Sequence, residues 1–195
     1  MFIVFDGPDG SGKSTLSEAL ADRLRQKGKN VLCTYEPTDT SLASRAVRQY
    51  LSSGGDVDPK VLSDYFTQDR EEHVASVIRP HLLRGGVVIC DRYKYSTLVY
   101  QGYQGVDPDY IIRSNDAFPV PDIVFVLLPA SAEILMKRIA KRGEAREVFE
   151  KKSFLSQAIE QYKKLPAFFP NERFVFLNAD IPADENLTLI EPYVG

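Results

Sequence analysis

Residues 6–15 read Asp6-Gly7-Pro8-Asp9-Gly10-Ser11-Gly12-Lys13-Ser14-Thr15, and Gly7, Gly12, Lys13 and Ser14 fall in the spacing G-x-x-x-x-G-K-[ST]. That spacing binds phosphate for local reasons. Glycines let the chain bend until successive backbone N–H groups face one concavity, which holds an anion. A helix starting there adds the positive end of its dipole. The Lys13 ammonium can reach β- and γ-phosphates, and the Ser14 hydroxyl is an oxygen ligand of the kind Mg²⁺ takes. The expected triphosphate-binding set is therefore Gly7, Pro8, Asp9, Gly10, Ser11, Gly12, Lys13, Ser14 and Thr15. The loop fixes the ligand class and leaves the reaction open, because many functions share it.

A second constellation is Asp91-Arg92-Tyr93, which ends the apolar run Val87-Val88-Ile89-Cys90. An acid at the end of a buried strand is costly unless a partner waits there. Beside a phosphate loop that partner is Mg²⁺, directly or through water, with Arg92 free to fork onto a phosphate. An internal Asp–Arg ion pair is the other reading. Phe66 and Arg70 stand four apart on a helical pattern and share a face. A ring can stack on a base and a guanidinium can donate to its carbonyl, although an aromatic at this spacing also suits a core. Asp9 inside the loop either meets an acceptor or simply turns the chain. Lys137, Arg138, Lys141, Arg142 and Arg146 form a basic cluster within ten residues of a chain with net charge −3. Such a segment suits closure over a triphosphate, where arginine stabilises the charge on a transferring phosphoryl group.

These residues carry a resemblance. The stretch from Asp91-Arg92-Tyr93 through Ser96, Tyr100 and Gln101 resembles the D-R-Y-x-x-S-x-x-A-Y-Q signature of thymidylate kinases. Residues 6–15 are similar to that family's phosphate loop, Phe66-Thr67-Gln68-Asp69-Arg70 to its F-x-x-x-R segment, and 141–150 to its lid. The resemblance implies transfer of phosphate from ATP to dTMP, giving dTDP, with Mg²⁺ on Ser14 and Asp91, and a homodimer. It implies catalytic roles for Lys13, Asp91, Arg92 and a lid arginine, Arg142 or Arg146, because position 10 is Gly where other members carry an arginine. It implies an acceptor pocket of Asp9, Glu36, Phe66, Arg70, Arg92, Thr97 and Tyr100. A second phosphate-holding arginine comes from Arg45 or Arg48, with Arg48 preferred. A broader pyrimidine dNMP kinase and an inactive nucleotide-binding regulator are the competing functions.

The elements must bring these stretches together. Runs at 2–5, 30–35, 87–91, 123–128 and 174–177 read as strands, and helical patterns separate them. That alternation predicts one α/β domain over residues 1–195, a doubly wound sheet of about five parallel strands with helices on both faces. Ligands of such folds collect beyond the carboxyl ends of the strands, where the phosphate loop, Glu36 and Asp91-Arg92 all fall. A long helical pattern from about Pro59 to Leu83 should kink or be interrupted at Pro80. Another helix is expected from Asp107 to Asn115, and a partly helical tail. The mildly acidic charge gives no sign of a nucleic-acid partner. No apolar run approaches the roughly 20 residues of a membrane span, and Cys33 and Cys90 read as buried free thiols, so a cytoplasmic protein is expected.

Overall fold

The computed structural model describes residues 1–54, 57–142, 149 and 151–194. Five strands form one all-parallel sheet: β1 (Phe2–Asp6), β2 (Val31–Tyr35), β3 (Val87–Asp91), β4 (Ile123–Leu128) and β5 (Phe174–Asn178), in the order β2-β3-β1-β4-β5. β1 and β4 are almost wholly buried, while the edge strands β2 and β5 are mostly half-buried. Period-two alternation splits the apolar runs between two cores. Phe2, Val4, Val88, Cys90, Val124 and Val126 face one side; Ile3, Phe5, Ile89, Ile123, Phe125 and Leu127 face the other.

The second face is covered by α1 (Lys13–Gln26) and α10 (Ala183–Val194). The first is covered by α2 (Leu42–Ser53), α3 (Pro59–His73), α5 (Lys94–Tyr103), α6 (Pro108–Asn115) and α8 (Lys152–Lys163). α7 (Ala132–Arg142) packs on α8 in a small third cluster around Leu135, Ile139 and Leu155. Short helices α4 (Arg79–Leu83) and α9 (Leu165–Phe168) complete the described elements. Asp58 and Asp107 cap α3 and α6 ahead of Pro59 and Pro108, the residues suited to a first helical turn.

Two expectations need adjustment. The long pattern from Pro59 is interrupted as expected, but upstream of Pro80 rather than at it. It widens upstream into a π-helical segment, Val74–Ile78, before α4. Pro80 has no N–H to give and its ring crowds the preceding turn, and a wider turn absorbs both. The helix α5, directly after Asp91-Arg92-Tyr93, was not expected as a helix. Seven of its ten residues are buried, so it shows no polar face, and no side chain caps its start.

Register positions the site. Phe5 and Tyr35 both pair with Asp91, which puts three strand ends in one row. The next backbone bonds are Glu36 N–H to the Asp91 carbonyl (2.9 Å) and Arg92 N–H to the Phe5 carbonyl (2.8 Å). Asp6, Glu36 and Arg92 therefore emerge side by side at the carboxyl edge.

Candidate active site

The phosphate loop follows β1. Gly7 has φ +141°, and a Cβ there would stand 2.5 Å from the Leu127 carbonyl oxygen, so the loop lies flush on β4. Gly10 has φ +78°, and a Cβ would meet Ile139 and the Leu135 carbonyl at 3.2 and 3.3 Å. Any side chain at position 10 would thus start tight against α7, in a backbone conformation that L residues rarely adopt. The Arg138 guanidinium, on the same helix, donates to the Gly10 carbonyl at 3.4 Å.

Lys13 is buried, and its ammonium donates to the Pro8 carbonyl at 2.9 Å. Burial, reinforced by the positive Arg92, pushes its pKa down to about 8. The Ser14 hydroxyl donates to Asp91 Oδ2 at 2.5 Å, while Asp91 Oδ1 is buried with no partner among the described residues. A hydroxyl and an orphaned carboxylate oxygen, across from a lysine, are a hard-oxygen donor set that fits Mg²⁺.

Arg92 has φ +70°, a conformation L residues avoid and that clusters at functional sites. Its Nη1 donates to the Gly7 carbonyl (3.1 Å) and to Ser96 Oγ (2.9 Å), and its Nη2 donates to Asp9 Oδ1. The Tyr100 hydroxyl donates to the other Asp9 oxygen at 3.1 Å. Burial alone would raise the Asp9 carboxyl; Arg92 and Lys13, with the Tyr100 hydroxyl, hold it below its ordinary value.

Asp6, fully buried, anchors this arrangement. Its Oδ1 accepts from Gly7 N–H (2.9 Å), Ser96 Oγ (2.7 Å) and the Tyr162 hydroxyl of α8 (2.7 Å), and Oδ2 accepts from Tyr93 N–H (3.3 Å). One carboxylate therefore ties the phosphate loop, the Arg92 turn, α5 and α8 together.

A cavity of about 370 Å³ opens beside the loop. It brings together nine of the expected residues: Asp9, Ser14, Glu36, Arg48, Phe66, Asp91, Arg92, Thr97 and Tyr100. Phe149 also lines it, packed against Tyr50, Tyr100 and Phe154. Arg70 stands behind the lining, 1% exposed. Its Nε donates to Glu36 Oε2 (2.7 Å), Nη1 to Asn115 Oδ1 (2.6 Å) and Nη2 to Thr97 Oγ1 (3.2 Å). Arg48 donates to the Thr38 and Pro37 carbonyls at 2.8 and 2.6 Å, on a loop that Asp69 fastens through Thr38 and Ser41. Arg45 is exposed and does not line the cavity. The expected lid arginines lie outside the description: Arg146 is not among the described residues, and of Arg142 only its helical backbone is.

Gln101, a signature position given no role from the sequence, lines the cavity with its Oε1 buried and unpartnered among the described residues. Its amide is oriented by a relay: Nε2 donates to Gln104 Oε1 (3.3 Å), and Gln104 Nε2 donates to the Tyr50 hydroxyl (3.2 Å). Gln101 stands four residues after Thr97 on α5, so both face the same way; that spacing was the available signal. Glu36, His73 and Cys90 bring possible metal-ligand atoms within 4.8 Å of one another. Glu36 is already committed to Arg70 and to His73 Nδ1 (3.1 Å), and a cation there would stand beside the buried guanidinium. No described helix is long and apolar enough to cross a membrane.

Phosphate loop, strand-end acid and parallel sheet together define a P-loop protein that binds a nucleoside triphosphate. The family model for thymidylate kinase matches residues 5–190. A probable thymidylate kinase of Pyrococcus horikoshii is 39% identical over 180 residues, covering 89% of this chain and 86% of that protein. One from Thermococcus kodakarensis is 38% identical, with 100% and 99% covered. The crystal structure of thymidylate kinase from Ehrlichia chaffeensis superposes with a TM-score of 0.75 at 29% identity, covering 97% of this chain and 98% of that one. The chain belongs to the thymidylate kinase family.

Proposed function

We propose that this chain, acting as one kinase domain over residues 1–195, transfers the γ-phosphoryl group of ATP to the 5′-phosphate of dTMP, forming dTDP and ADP for nucleotide biosynthesis. The observation that carries this reading is one cavity lined both by Ser14 and Asp91 and by Phe66, Thr97 and Gln101. Residues suited to donor phosphates and residues suited to an acceptor base line a single continuous space.

The loop N–H groups and Lys13 hold the triphosphate. Ser14 and Asp91 would hold Mg²⁺, which supplies charge neutralisation across the β- and γ-phosphates. Arg92 exchanges the Gly7 carbonyl and Asp9 for the acceptor phosphate, assisted by Arg48. Asp9 and Tyr100 face the sugar, and Phe66 stacks on the base. Arg70 has five N–H groups, three of them committed, and its remaining two can donate to the base 4-carbonyl. The orphaned Gln101 Oε1 accepts from the N3–H. A cytosine presents the opposite pattern at both positions, an amino group to the arginine and a lone pair to the carbonyl, so donor–acceptor matching favours thymine or uracil. The acceptor phosphate is itself the nucleophile, so no strong base is needed; alignment and charge neutralisation carry the rate. Arg142 or Arg146 supplies the further positive charge at the transferring group. A homodimer and a cytoplasmic location belong to the same reading.

Purified protein with ATP, Mg²⁺ and dTMP should form dTDP, and omitting Mg²⁺ should abolish it. Binding of both nucleotides without dTDP would instead mark a regulator that kept the fold and lost turnover.

A further inference from the structure

We infer that Asn115, at the end of α6 and outside the cavity lining, is a positioning residue for base recognition: with Glu36 it fixes the plane of the Arg70 guanidinium and so decides which two N–H groups face the substrate. This rests on the reading of Arg70 as the base-contacting arginine.

A buried arginine needs a counter-charge, and Glu36 supplies it at Nε. One anchor neutralises the charge but leaves the fork free to turn about its bonds. A second acceptor on a different nitrogen fixes the plane. Asn115 Oδ1 is the nearer such acceptor, 2.6 Å from Nη1, and Thr97 Oγ1 takes Nη2 at 3.2 Å. The amide cannot flip without loss, because its Nδ2 donates to the Ile111 carbonyl at 2.8 Å and to Ser114 Oγ at 3.3 Å. Glu36 is held in turn: its other oxygen meets His73 Nδ1 at 3.1 Å, and His73 Nε2 meets Thr34 Oγ1 at 2.7 Å. Below the guanidinium lies the Tyr93 ring, 5.3 Å from centroid to Cζ. The arginine is thus clamped by Glu36 just beyond β2, by Thr97 of α5 and by Asn115 of α6 before any base arrives. Pre-organised donors lose no ordering entropy on binding and cannot swing away to tolerate a 4-amino group. Asn115 itself is 2% exposed, and its action on substrate passes through Arg70.

The test is Asn115→Leu, close to isosteric and lacking the acceptor, measured for kcat, KM for dTMP, KM for ATP and the kcat/KM preference for dTMP over dCMP. Loss of one charge-assisted partner predicts about a tenfold rise in KM for dTMP and a reduced preference. The values of kcat at saturation and KM for ATP should stay within about twofold. Asn115→Ala, which only deletes the amide, is read in the same way if the leucine variant does not fold. Arg70→Lys, keeping the charge against Glu36 and losing the fork, is measured alongside. If Arg70→Lys leaves KM for dTMP and the preference unchanged, the reading of Arg70 is wrong. If it raises KM and the Asn115 variants do not, the clamp is wrong, whatever their melting temperatures; a fall in kcat with KM and preference intact overturns it equally.

Discussion

Replacing Asp6 by Ala should cost this protein a large part of its stability, although Asp6 touches no substrate in the proposed mechanism. Its carboxylate serves four donors: the Gly7 and Tyr93 N–H groups and the Ser96 and Tyr162 hydroxyls. The two hydroxyls lie 3.1 Å apart and can partly satisfy one another. That leaves two backbone N–H groups and one hydroxyl without an acceptor in a site with no exposure. At about 1–3 kcal/mol for each buried unsatisfied group, the loss is about 3–9 kcal/mol, against a total of about 5–15 kcal/mol for a typical domain. The chain has no Trp, so urea unfolding is followed by far-UV circular dichroism. With a slope of about 2 kcal/mol per molar, the midpoint should fall by about 1.5–4.5 M. Asp6→Asn keeps one acceptor and turns an amide NH₂ toward the Tyr93 N–H, so its midpoint should fall between the two. A drop below about 0.5 M for Asp6→Ala, equivalent to about 1 kcal/mol, would refute the view that this carboxylate ties four elements together.

The remaining predictions concern charge. Lys13 loses its proton at about 8 when the site is empty, so kcat/KM for ATP should decline as pH rises through about 8, while kcat persists to higher pH because bound phosphates favour the ammonium; a flat kcat/KM up to pH about 10 would contradict the buried setting of Lys13. The same shift has a sign in stability. The unfolded chain keeps this proton to an ordinary value of 10.5 and the folded chain to about 8, so burial of Lys13 opposes folding at neutral pH, and that opposition fades between those values. Arg142→Ala or Arg146→Ala should lower turnover by about tenfold or more with little change in KM for dTMP, as expected for a group acting mainly in the transition state; unchanged turnover in both variants and in the double variant would remove the lid arginine from the mechanism.

Local signals were legible in the sequence, and distant partnerships were not. Each strand announced itself by an apolar run, and the phosphate loop and Asp91-Arg92 by residue types packed into a few positions. The helix α5 escaped because a helix buried nearly all round has no amphipathic period, and its Tyr, Thr and Val are indifferent helix formers. The break before α4 was read at its cause, Pro80, although the backbone adjusts a turn earlier, at Val74–Ile78. Asp6 and Asn115 acquire meaning only through contacts. Asp6 meets Tyr162 across 156 positions, and Arg70 meets Asn115 across 45. Glu36 was legible as a strand-end acid, but not its commitment to Arg70 and His73.

The central claim is that the cavity beside the phosphate loop selects a thymine monophosphate as acceptor. Steady-state kcat/KM with ATP and Mg²⁺ for dTMP, dUMP, dCMP and dGMP tests it most directly. The account predicts dTDP as product, dUMP as the nearest competitor because it shares the 4-carbonyl and N3–H, and dCMP and dGMP far behind. Equal values for all four acceptors, or a preference for dCMP, would contradict it.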